Sequence, residues 1–196
     1  MWESESSPKG YTQQGALLFS PDKTFLALID AQEKLMAAMF NPAEVSENLV
    51  LLVKGLQALD VPILISEQNP QGLGPTISPL RNLFQNNHPI KKISFSCCGE
   101  EAYIKSLRGL DRRQALVCGI ESHVCVYQTV VDLTAMGYEV QVVSDCVSSR
   151  KKENKEIGLE RCREKGASIT SVETILFELL RRAEGSAFKK ILALVK

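Results

Sequence analysis

A cysteine in the middle of the chain occupies a position suited to nucleophilic chemistry. Cys125 follows an apolar run at residues 115–118 and a tight turn at residues 119–122. The run predicts a strand buried on both faces, and the pattern after it predicts a helix from Ser122, its N-cap, to Gly137. In the first turn of that helix, free N–H groups and the helix dipole would favour a thiolate. The alternative is that Cys125 is a small buried apolar residue.

Two charged positions could assist such a thiol. Asp30 ends the apolar run 24–29, where a carboxylate is stable only if it is paired or hydrogen-bonded. Its alternative role is an exposed N-cap for the next helix. Lys91 and Lys92 end another predicted strand. A cation beside Cys125 would lower the pKa of the thiol, and a cation beside Asp30 would compensate for its burial. The alternative is a solvated pair of lysines.

Other chemistries have less support in the sequence. His123 lies two residues from Cys125, and side chains two apart on a helix do not face each other, so a local Cys–His dyad is geometrically poor. His88 precedes a proline, and without an Asp-x-His spacing the two histidines make a weak metal site. Cys97 and Cys98 are adjacent and form no C-x-x-C pair, and no glycine-rich phosphate loop follows a predicted strand. We expect neither a metal nor a cofactor.

Apolar runs alternate with amphipathic segments along most of the chain, which is typical of βα units. This alternation predicts an α/β fold: a doubly wound, mostly parallel six-stranded sheet with helices on both faces, a Rossmann-like three-layer sandwich. In the common strand order 3-2-1-4-5-6, ligands bind between the first and fourth strands, where Asp30 and Cys125 would meet. Predicted strands lie at residues 24–29, 62–65, 88–92, 115–118, 139–143 and 167–170, and predicted helices at residues 42–59, 79–84, 100–110, 122–137, 151–165 and 171–181.

Two local predictions concern the surroundings of this crevice. The Gly and Pro content of residues 66–75 predicts a loop without regular structure that covers the crevice and sets specificity. The loop contains no arginine to clamp an anion, which favours a small, neutral or weakly polar, amide-like substrate; its polar side chains are Glu67, Gln68, Asn69 and Gln71. For the helix after Cys125, the predicted inward residues are Val124, Tyr127, Val131, and Leu133 or Ala135.

The composition is that of an ordinary globular protein with one domain. The chain has 196 residues, 44% of them hydrophobic, and its 23 basic residues balance 23 acidic ones. A net charge of zero gives no bulk attraction to nucleic acid or to an anionic membrane, and no apolar run approaches the roughly 20 residues that span a bilayer. We expect a mobile N-terminal arm over residues 1–20, one domain over residues 21–182 and a C-terminal segment over residues 183–196.

Cysteine usage and the N-terminal composition indicate the compartment. The six cysteines are scattered, and the first fifteen residues are polar and acidic, unlike a secretory signal. Reduced thiols and a cytoplasmic location are therefore expected.

The end of the chain is too apolar for a free tail. Residues 187–195 place four apolar side chains on one helical face, Phe188, Ile191, Leu192 and Val195. This segment would pack either on its own domain or on a partner subunit.

Three motifs resemble those of the isochorismatase-like cysteine hydrolases, in the order in which that family has them. Residues 28–32 (LIDAQ) resemble the family's Asp-x-Gln strand end, residues 92–96 (KISFS) its Lys-x-x-Phe-Ser segment, and residues 119–126 (GIESHVCV) its cysteine-bearing turn. The likeness extends over nearly the whole chain, from about Thr24 to about Leu180. Segments similar to isochorismatase domain-containing proteins of unknown substrate lie at residues 67–76, 119–126, 144–150 and 188–189.

The resemblance implies a catalytic triad with Asp30 as the base, Lys92 as the electrostatic partner and Cys125 as the nucleophile. Lys92 is selected over Lys91 because only Lys92 has the Phe-Ser pair three and four positions on. A small-molecule hydrolase acting on an amide, ureido or ester carbonyl is therefore expected. Family members are usually dimers or larger rings, so a homo-oligomer is expected too. The alternative is a non-catalytic binding or scaffold protein that has kept the fold.

The resemblance also implies the surroundings of the triad. It implies a cis peptide bond between Ile120 and Glu121, in a turn that directs backbone N–H groups towards an oxyanion near the cysteine. It places Gln32, Gln68 and Phe95 beside the substrate. Nicotinamidases of the family carry an Asp-x-His metal motif where this chain has residues 66–69 (SEQN). Nicotinamidase activity and a metal are therefore not expected.

Overall fold

The computed structural model describes residues 18–84 and 88–196. Within them, six strands form one sheet in the order β3-β2-β1-β4-β5-β6, and every neighbouring pair is parallel. The doubly wound α/β fold and its predicted strand order are confirmed, including the reversal of winding between β1 and β4. The strands are β1 (Thr24–Ile29), β2 (Ile63–Gln68), β3 (Ile90–Lys92), β4 (Gln114–Ile120), β5 (Glu139–Ser148) and β6 (Ser168–Thr170).

Helices cover both faces of the sheet. They are α1 (Glu33–Ala37), α2 (Pro42–Gln57), α3 (Pro70–Leu73), α4 (Ser78–Arg81), α5 (Glu101–Gly109), α6 (Tyr127–Ala135), α7 (Lys152–Glu164), α8 (Val172–Leu180) and α9 (Gly185–Leu194), with a 3₁₀ turn at Cys97–Gly99 and a π-helical turn at Ser122–Val126. The central strand β1 is buried along its whole length. Its side chains alternate between a core shared with α2, α8 and α9 and a core shared with α5, α6 and α7, as strand geometry requires.

The segment 66–75 is more regular than the sequence predicts. Residues 66–68 continue β2 and pair with β3, so their backbone groups have sheet partners despite the nearby Gly and Pro residues. Pro70 then opens the short helix α3, a position where its missing N–H has no cost. The prediction of an entirely irregular loop was therefore wrong, and the irregular part is confined to the residues around Asn69 and Gly74.

The helix after β4 has a different inward face from the predicted one. A π-helical turn, in which the Val126 N–H donates to the Glu121 carbonyl at 3.2 Å, inserts an additional residue before α6. The insertion rotates the helix, so that Cys125, Val126, Thr129, Val130 and Leu133 are the buried residues, whereas Val124, Tyr127 and Val131 are only partly buried. Of the predicted inward set, Leu133 is buried and the exposed Ala135 is not.

The predicted N-cap of this helix is also wrong. Glu121 occupies the N-cap position without a side-chain capping bond. The Ser122 hydroxyl instead lies 2.6 Å from the Ser149 hydroxyl, beyond the end of β5. Ser149 also contacts His123 Nδ1 at 2.9 Å, so a hydroxyl cluster occupies the start of the turn.

The two termini differ in what the structure describes. The predicted arm falls mostly on residues 1–17, which lie outside the described residues. Its last part is anchored, because Phe19 is buried and its N–H donates to Glu178 Oε1 at 2.7 Å. At the other end, the predicted helix is present as α9. Its Ile191 is fully buried against the core that α2 and α8 share, so this segment packs on its own domain.

Candidate active site

Asp30 lies at the carboxyl end of β1, at the centre of the sheet. Its side chain is fully buried, and its backbone has a positive φ of 49°. The hydroxyl of Ser66, from the neighbouring strand β2, donates to Oδ1 at 2.8 Å. The alternative role of an exposed helix N-cap is therefore wrong, since α1 begins at Glu33 with Gln32 at its N-cap position.

Lys92 brings a buried cation to this carboxylate from the end of β3. Its Nζ lies 2.7 Å from Asp30 Oδ2, and both side chains have almost no exposure, 1% and 0%. Lys91, the preceding residue, points the other way and is exposed, as alternation along a strand requires. The two lysines are therefore not a solvated pair, and the one predicted from the Phe-Ser pair is the buried one.

Cys125 approaches the same carboxylate from the π-helical turn after β4. The cysteine is 6% exposed, and its thiol interacts with Asp30, Lys92 and Cys97. Burial, reinforced by the negative charge of Asp30, raises the pKa of the Cys125 thiol to about 12, against the opposing effect of Lys92. The prediction that the helix end and a nearby cation favour a resting thiolate therefore had the wrong sign. The thiol needs a base to ionise it.

Asp30 and Lys92 have the protonation behaviour that such a role requires. Burial raises the pKa of the Asp30 carboxyl, although the charge of Lys92 opposes this effect. A carboxylate with a raised pKa is a better proton acceptor than an exposed one. Burial by itself would lower the pKa of Lys92, but the negative charges of Asp30 and Cys125 outweigh it and hold this pKa above its usual value. Lys92 therefore stays charged.

A glycine permits the close approach of the two central strands at this point. Gly119 has φ +112°, and a Cβ built there would lie 1.9 Å from the Ile29 carbonyl oxygen. The contact falls one residue before Asp30 on β1 and six residues before Cys125 on the chain from β4. Glycine thereby sets the separation of the elements that carry the carboxylate and the thiol.

The turn that leads from β4 to Cys125 contains a cis peptide bond. The bond between Ile120 and Glu121 is cis. Ile120 is fully buried, and the Glu121 carboxylate forms an ion pair with Arg150 at 3.0 Å. The Glu121 carbonyl accepts hydrogen bonds from the N–H groups of Val124 and Val126.

The three residues predicted to contact substrate have different surroundings. Gln32 is fully buried, and its amide bonds to the backbone N–H and carbonyl of Gln68 and to the carbonyl of Gly74. Gln68 accepts a hydrogen bond from Lys92 Nζ at 2.7 Å and donates to the Ile93 carbonyl. Gln32 and Gln68 are thus engaged within the protein. The side chain of Phe95 is 55% exposed.

Sequence reasoning missed three residues next to the carboxylate and the thiol: Ser66, Cys97 and Thr129. The Cys97 thiol lies 3.4 Å from the Ser66 hydroxyl, which bonds Asp30 in turn. Thr129 links the same region, accepting from the Cys97 N–H at 3.0 Å and donating to the Cys125 carbonyl at 2.7 Å. The sequence contained one signal for this group of residues. Ser66 is a small polar residue that follows three apolar ones, in a strand predicted to lie beside β1.

A cavity of about 300 Å³ adjoins the site, and its lining includes Lys92 but not Cys125: Asn69, Pro70, Gln71, Lys91, Lys92, Ile93 and Glu100. In the described part of the chain, no cluster of His, Cys, Asp and Glu side chains has a geometry for holding a metal ion. Within the same residues, no helix combines the length and apolar character needed to cross a membrane.

The fold and this site define a class: a doubly wound α/β protein that gathers a carboxylate, an ammonium and a thiol at its topological switch point. The chain belongs to the isochorismatase family, whose isochorismatase domain model matches residues 24–174. The family resemblance stated from the motifs is thereby confirmed, and the chain has the fold of that hydrolase family.

Known proteins show the same relationship. Isochorismatase domain-containing protein 2A of Mus musculus is 36% identical over 177 residues, covering 90% of this chain and 84% of the mouse protein. The MAR1 ribonuclease structure from Caenorhabditis elegans is 29% identical with a TM-score of 0.86, covering 91% of this chain and 92% of that chain. The YcaC gene product of Escherichia coli, described as an octameric hydrolase of unknown specificity, is 18% identical with a TM-score of 0.88 and covers 93% and 91%.

Proposed function

We propose that the protein is a cysteine hydrolase that cleaves a small amide, ureido or ester substrate through a thioester intermediate. The single observation that supports this most strongly is the position of a buried Asp30–Lys92 ion pair beside the Cys125 thiol. Burying two charges costs free energy unless their mutual attraction and their hydrogen bonds compensate for the lost hydration. A buried pair at this position therefore suggests a functional role. A base with a raised pKa next to a thiol that cannot ionise unaided is the combination that nucleophilic catalysis requires.

In the first half of the reaction, Asp30 accepts the thiol proton as the Cys125 sulfur attacks the substrate carbonyl carbon. The carbonyl π electrons move to oxygen, giving a tetrahedral oxyanion. Backbone N–H groups of the turn from Ile120 to Cys125, at the N-terminal end of a helix, stabilise this charge. Asp30 then returns the proton to the leaving amine or alcohol, and the C–N or C–O bond breaks to leave the thioester.

In the second half, water replaces the leaving group. Asp30 takes a proton from the water as its oxygen attacks the thioester, and the resulting intermediate expels the Cys125 sulfur. The proton on Asp30 returns to the sulfur, so the site regains its starting state and the acid leaves. Lys92 remains protonated throughout and offsets the negative charge that moves between Asp30, Cys125 and the substrate.

The proposed substrate is small and neutral or weakly polar. The Glu67 carboxylate is not available to bind a cationic substrate, because the N–H and the hydroxyl of Thr76 both donate to it. Arg81 Nη1 lies 3.6 Å from Glu33 Oε1, and Arg150 pairs with Glu121, so both arginines already have acidic partners. A strongly anionic substrate would have to compete with these pairs.

Replacing Cys125 with Ala tests the nucleophile. Screening of amides, ureido compounds and esters with the wild-type protein should identify a substrate, and Cys125→Ala should reduce its turnover at least about 1,000-fold, because the covalent path is removed. Cys98→Ala, at a half-buried cysteine near the site, is the matched control and should keep most of the activity. A Cys125→Ala protein that folds and still turns over the substrate would show that the nucleophile is wrongly assigned. A preference for dianionic compounds would contradict the proposed substrate class.

A second candidate is ribonuclease activity, because the C. elegans neighbour with that name is 29% identical over most of the chain. The chain itself has no net charge to attract a polyanion. The same screen should therefore include a short single-stranded RNA. Cleavage of the RNA by the wild-type protein and not by Cys125→Ala would favour the second candidate.

A further inference from the structure

The contact between Lys92 and Asp30 is close but is not well aligned as a hydrogen bond. Nζ lies 2.7 Å from Oδ2, whereas the angles of the contact are poor for a hydrogen bond. Two charges at this distance interact strongly in a buried site whatever their orientation. The attraction between the two charges therefore contributes more to this ion pair than hydrogen bonding does.

The reason lies in the other partners of the ammonium. Its three N–H donors have three neutral acceptors: Gln68 Oε1 at 2.7 Å, the Phe95 carbonyl at 2.9 Å and the Ser94 carbonyl at 3.1 Å. Two of these three acceptors are backbone carbonyls, and the third is the side chain of Gln68. Together with Asp30 Oδ2, four oxygen atoms therefore surround an ammonium that has only three N–H groups, and Gln68 Oε1 competes with Oδ2 for them.

Gln68 is itself held in place. Its backbone N–H donates to Gln32 Oε1 at 2.7 Å, and Gln32 Nε2 donates to the Gln68 carbonyl at 3.0 Å and to the Gly74 carbonyl. Gln32 is fully buried and so has no alternative partners in solvent. The side-chain amide nitrogen of Gln68 bonds the Ile93 carbonyl, which orients its oxygen towards Lys92. The two glutamines form a rigid clamp around the ammonium.

We infer that Gln68 is a positioning residue that limits hydrogen bonding from Lys92 to Oδ2 of Asp30, so that this oxygen can accept the Cys125 proton. This inference rests on the proposed function, which needs Asp30 as a base. If the Gln68 acceptor were absent, one N–H of Lys92 would turn to Oδ2, the nearest remaining oxygen. A hydrogen bond to the charged form lowers the pKa of a carboxyl and makes it a weaker base.

The inference predicts opposite shifts for two substitutions at one position. Gln68→Leu removes the acceptor, so the pH at which Asp30 becomes able to ionise the thiol should fall by about one unit. Gln68→Glu keeps an acceptor for Nζ and adds a negative charge near Asp30, so the same pH should rise by about one unit. Neither change touches the backbone bonds to Gln32. A purely structural role for Gln68 would not produce shifts of opposite sign.

The experiment measures the rate at which iodoacetamide alkylates Cys125 between pH 4 and pH 9, by mass spectrometry of the full-length protein after digestion. Gln57→Leu, at an exposed glutamine on helix α2, is the matched control and should leave the profile unchanged. Thermal melting identifies any variant that fails to fold, and Gln68→Glu remains informative if Gln68→Leu does not fold. Profiles for the folded Gln68 variants that coincide with wild type, or that shift in the same direction, would overturn the inference.

Failure of the proposed function would look different. In that case, the wild-type protein itself would show no step in the Cys125 profile at acidic or neutral pH, since no base would assist the thiol. A wild-type step with no response to Gln68 would leave the proposed function intact and remove only the role of Gln68.

Discussion

The environment of Cys125 combines two effects that oppose each other. Burial and the adjacent carboxylate keep the thiol protonated, which protects it from reaction in the absence of substrate. In the proposed mechanism, the same carboxylate takes the proton when a substrate carbonyl binds. Resting stability and activation of the sulfur thus depend on Asp30.

At the residue scale, we predict that Cys125 reacts with iodoacetamide faster than the other five cysteines. Cys98, which is half-buried, is the main competitor, but burial, together with the charges of Cys97 and Asp132, raises the pKa of its thiol to about 12. Burial likewise raises the pKa of Cys162 to about 12. Brief labelling followed by mass spectrometry measures the order. Faster labelling of Cys98 or Cys97 would contradict the prediction.

The pH dependence of this labelling follows from the two raised pKa values. Below the raised pKa of Asp30 the base is protonated, so the alkylation rate should be low. Above that pKa the rate should rise and then stay level through neutral pH, because the pKa of the Cys125 thiol is about 12. Asp30→Asn removes the base and also the charge that raises the thiol pKa. Its rate at pH 7 should fall at least about tenfold and should climb steadily with pH. A level region that survives in Asp30→Asn would exclude Asp30 as the base.

At the element scale, the separation of β1 and β4 determines whether the carboxylate and the thiol can meet. Gly119 is central to this because any Cβ there would collide with the Ile29 backbone and would also force a side chain into φ +112°. The π-helical turn acts in the same region, since it directs Cys125 inward instead of Val124.

We therefore predict that Gly119→Ala lowers the free energy of unfolding by about 3 kcal/mol or more, from steric overlap and backbone strain together. Gly109→Ala is the control, because a Cβ at this helical position meets nothing within 4 Å. That change should be neutral or stabilising by up to about 1 kcal/mol. Urea titration of both variants measures the difference. Equal stability of the two variants would contradict the close-approach argument.

At the scale of the whole molecule, several large apolar side chains remain on the surface. Ile93 is 75% exposed and Phe95 is 55% exposed, one and three residues after Lys92, and Ile157 on α7 is 49% exposed. Apolar surface of this kind is typical of contacts between subunits. Because α9 packs on its own domain, it is a less suitable subunit contact than the segment after Lys92.

We predict a homo-oligomer whose interface includes Ile93. Light scattering at micromolar concentration should give a mass that is a multiple of one chain, and Ile93→Glu should reduce it by placing a charge in an apolar contact. Lys91→Glu, an exposed change on the preceding residue, is the control. A monomeric wild-type protein would refute the prediction.

The sequence by itself determined the order and burial of the strands and the placement of Asp30, Lys92 and Cys125 at strand ends. Continuous apolar runs with polar residues at their carboxyl ends are local patterns, and the rules for parallel sheets bring those ends together. The motifs then indicated which lysine is buried.

Only the tertiary structure decided how these groups behave. The sign of the Cys125 pKa shift depends on the balance between burial and two charges from other strands, which no local pattern records. The π-helical turn changed the inward face of α6 by inserting one residue. Gln32 and Gln68, predicted beside the substrate, proved to bond to each other and to Lys92, because residues 36 positions apart in the chain meet where β1 and β2 end. These properties depend on contacts between residues that are distant in the sequence, and local sequence patterns do not predict such contacts.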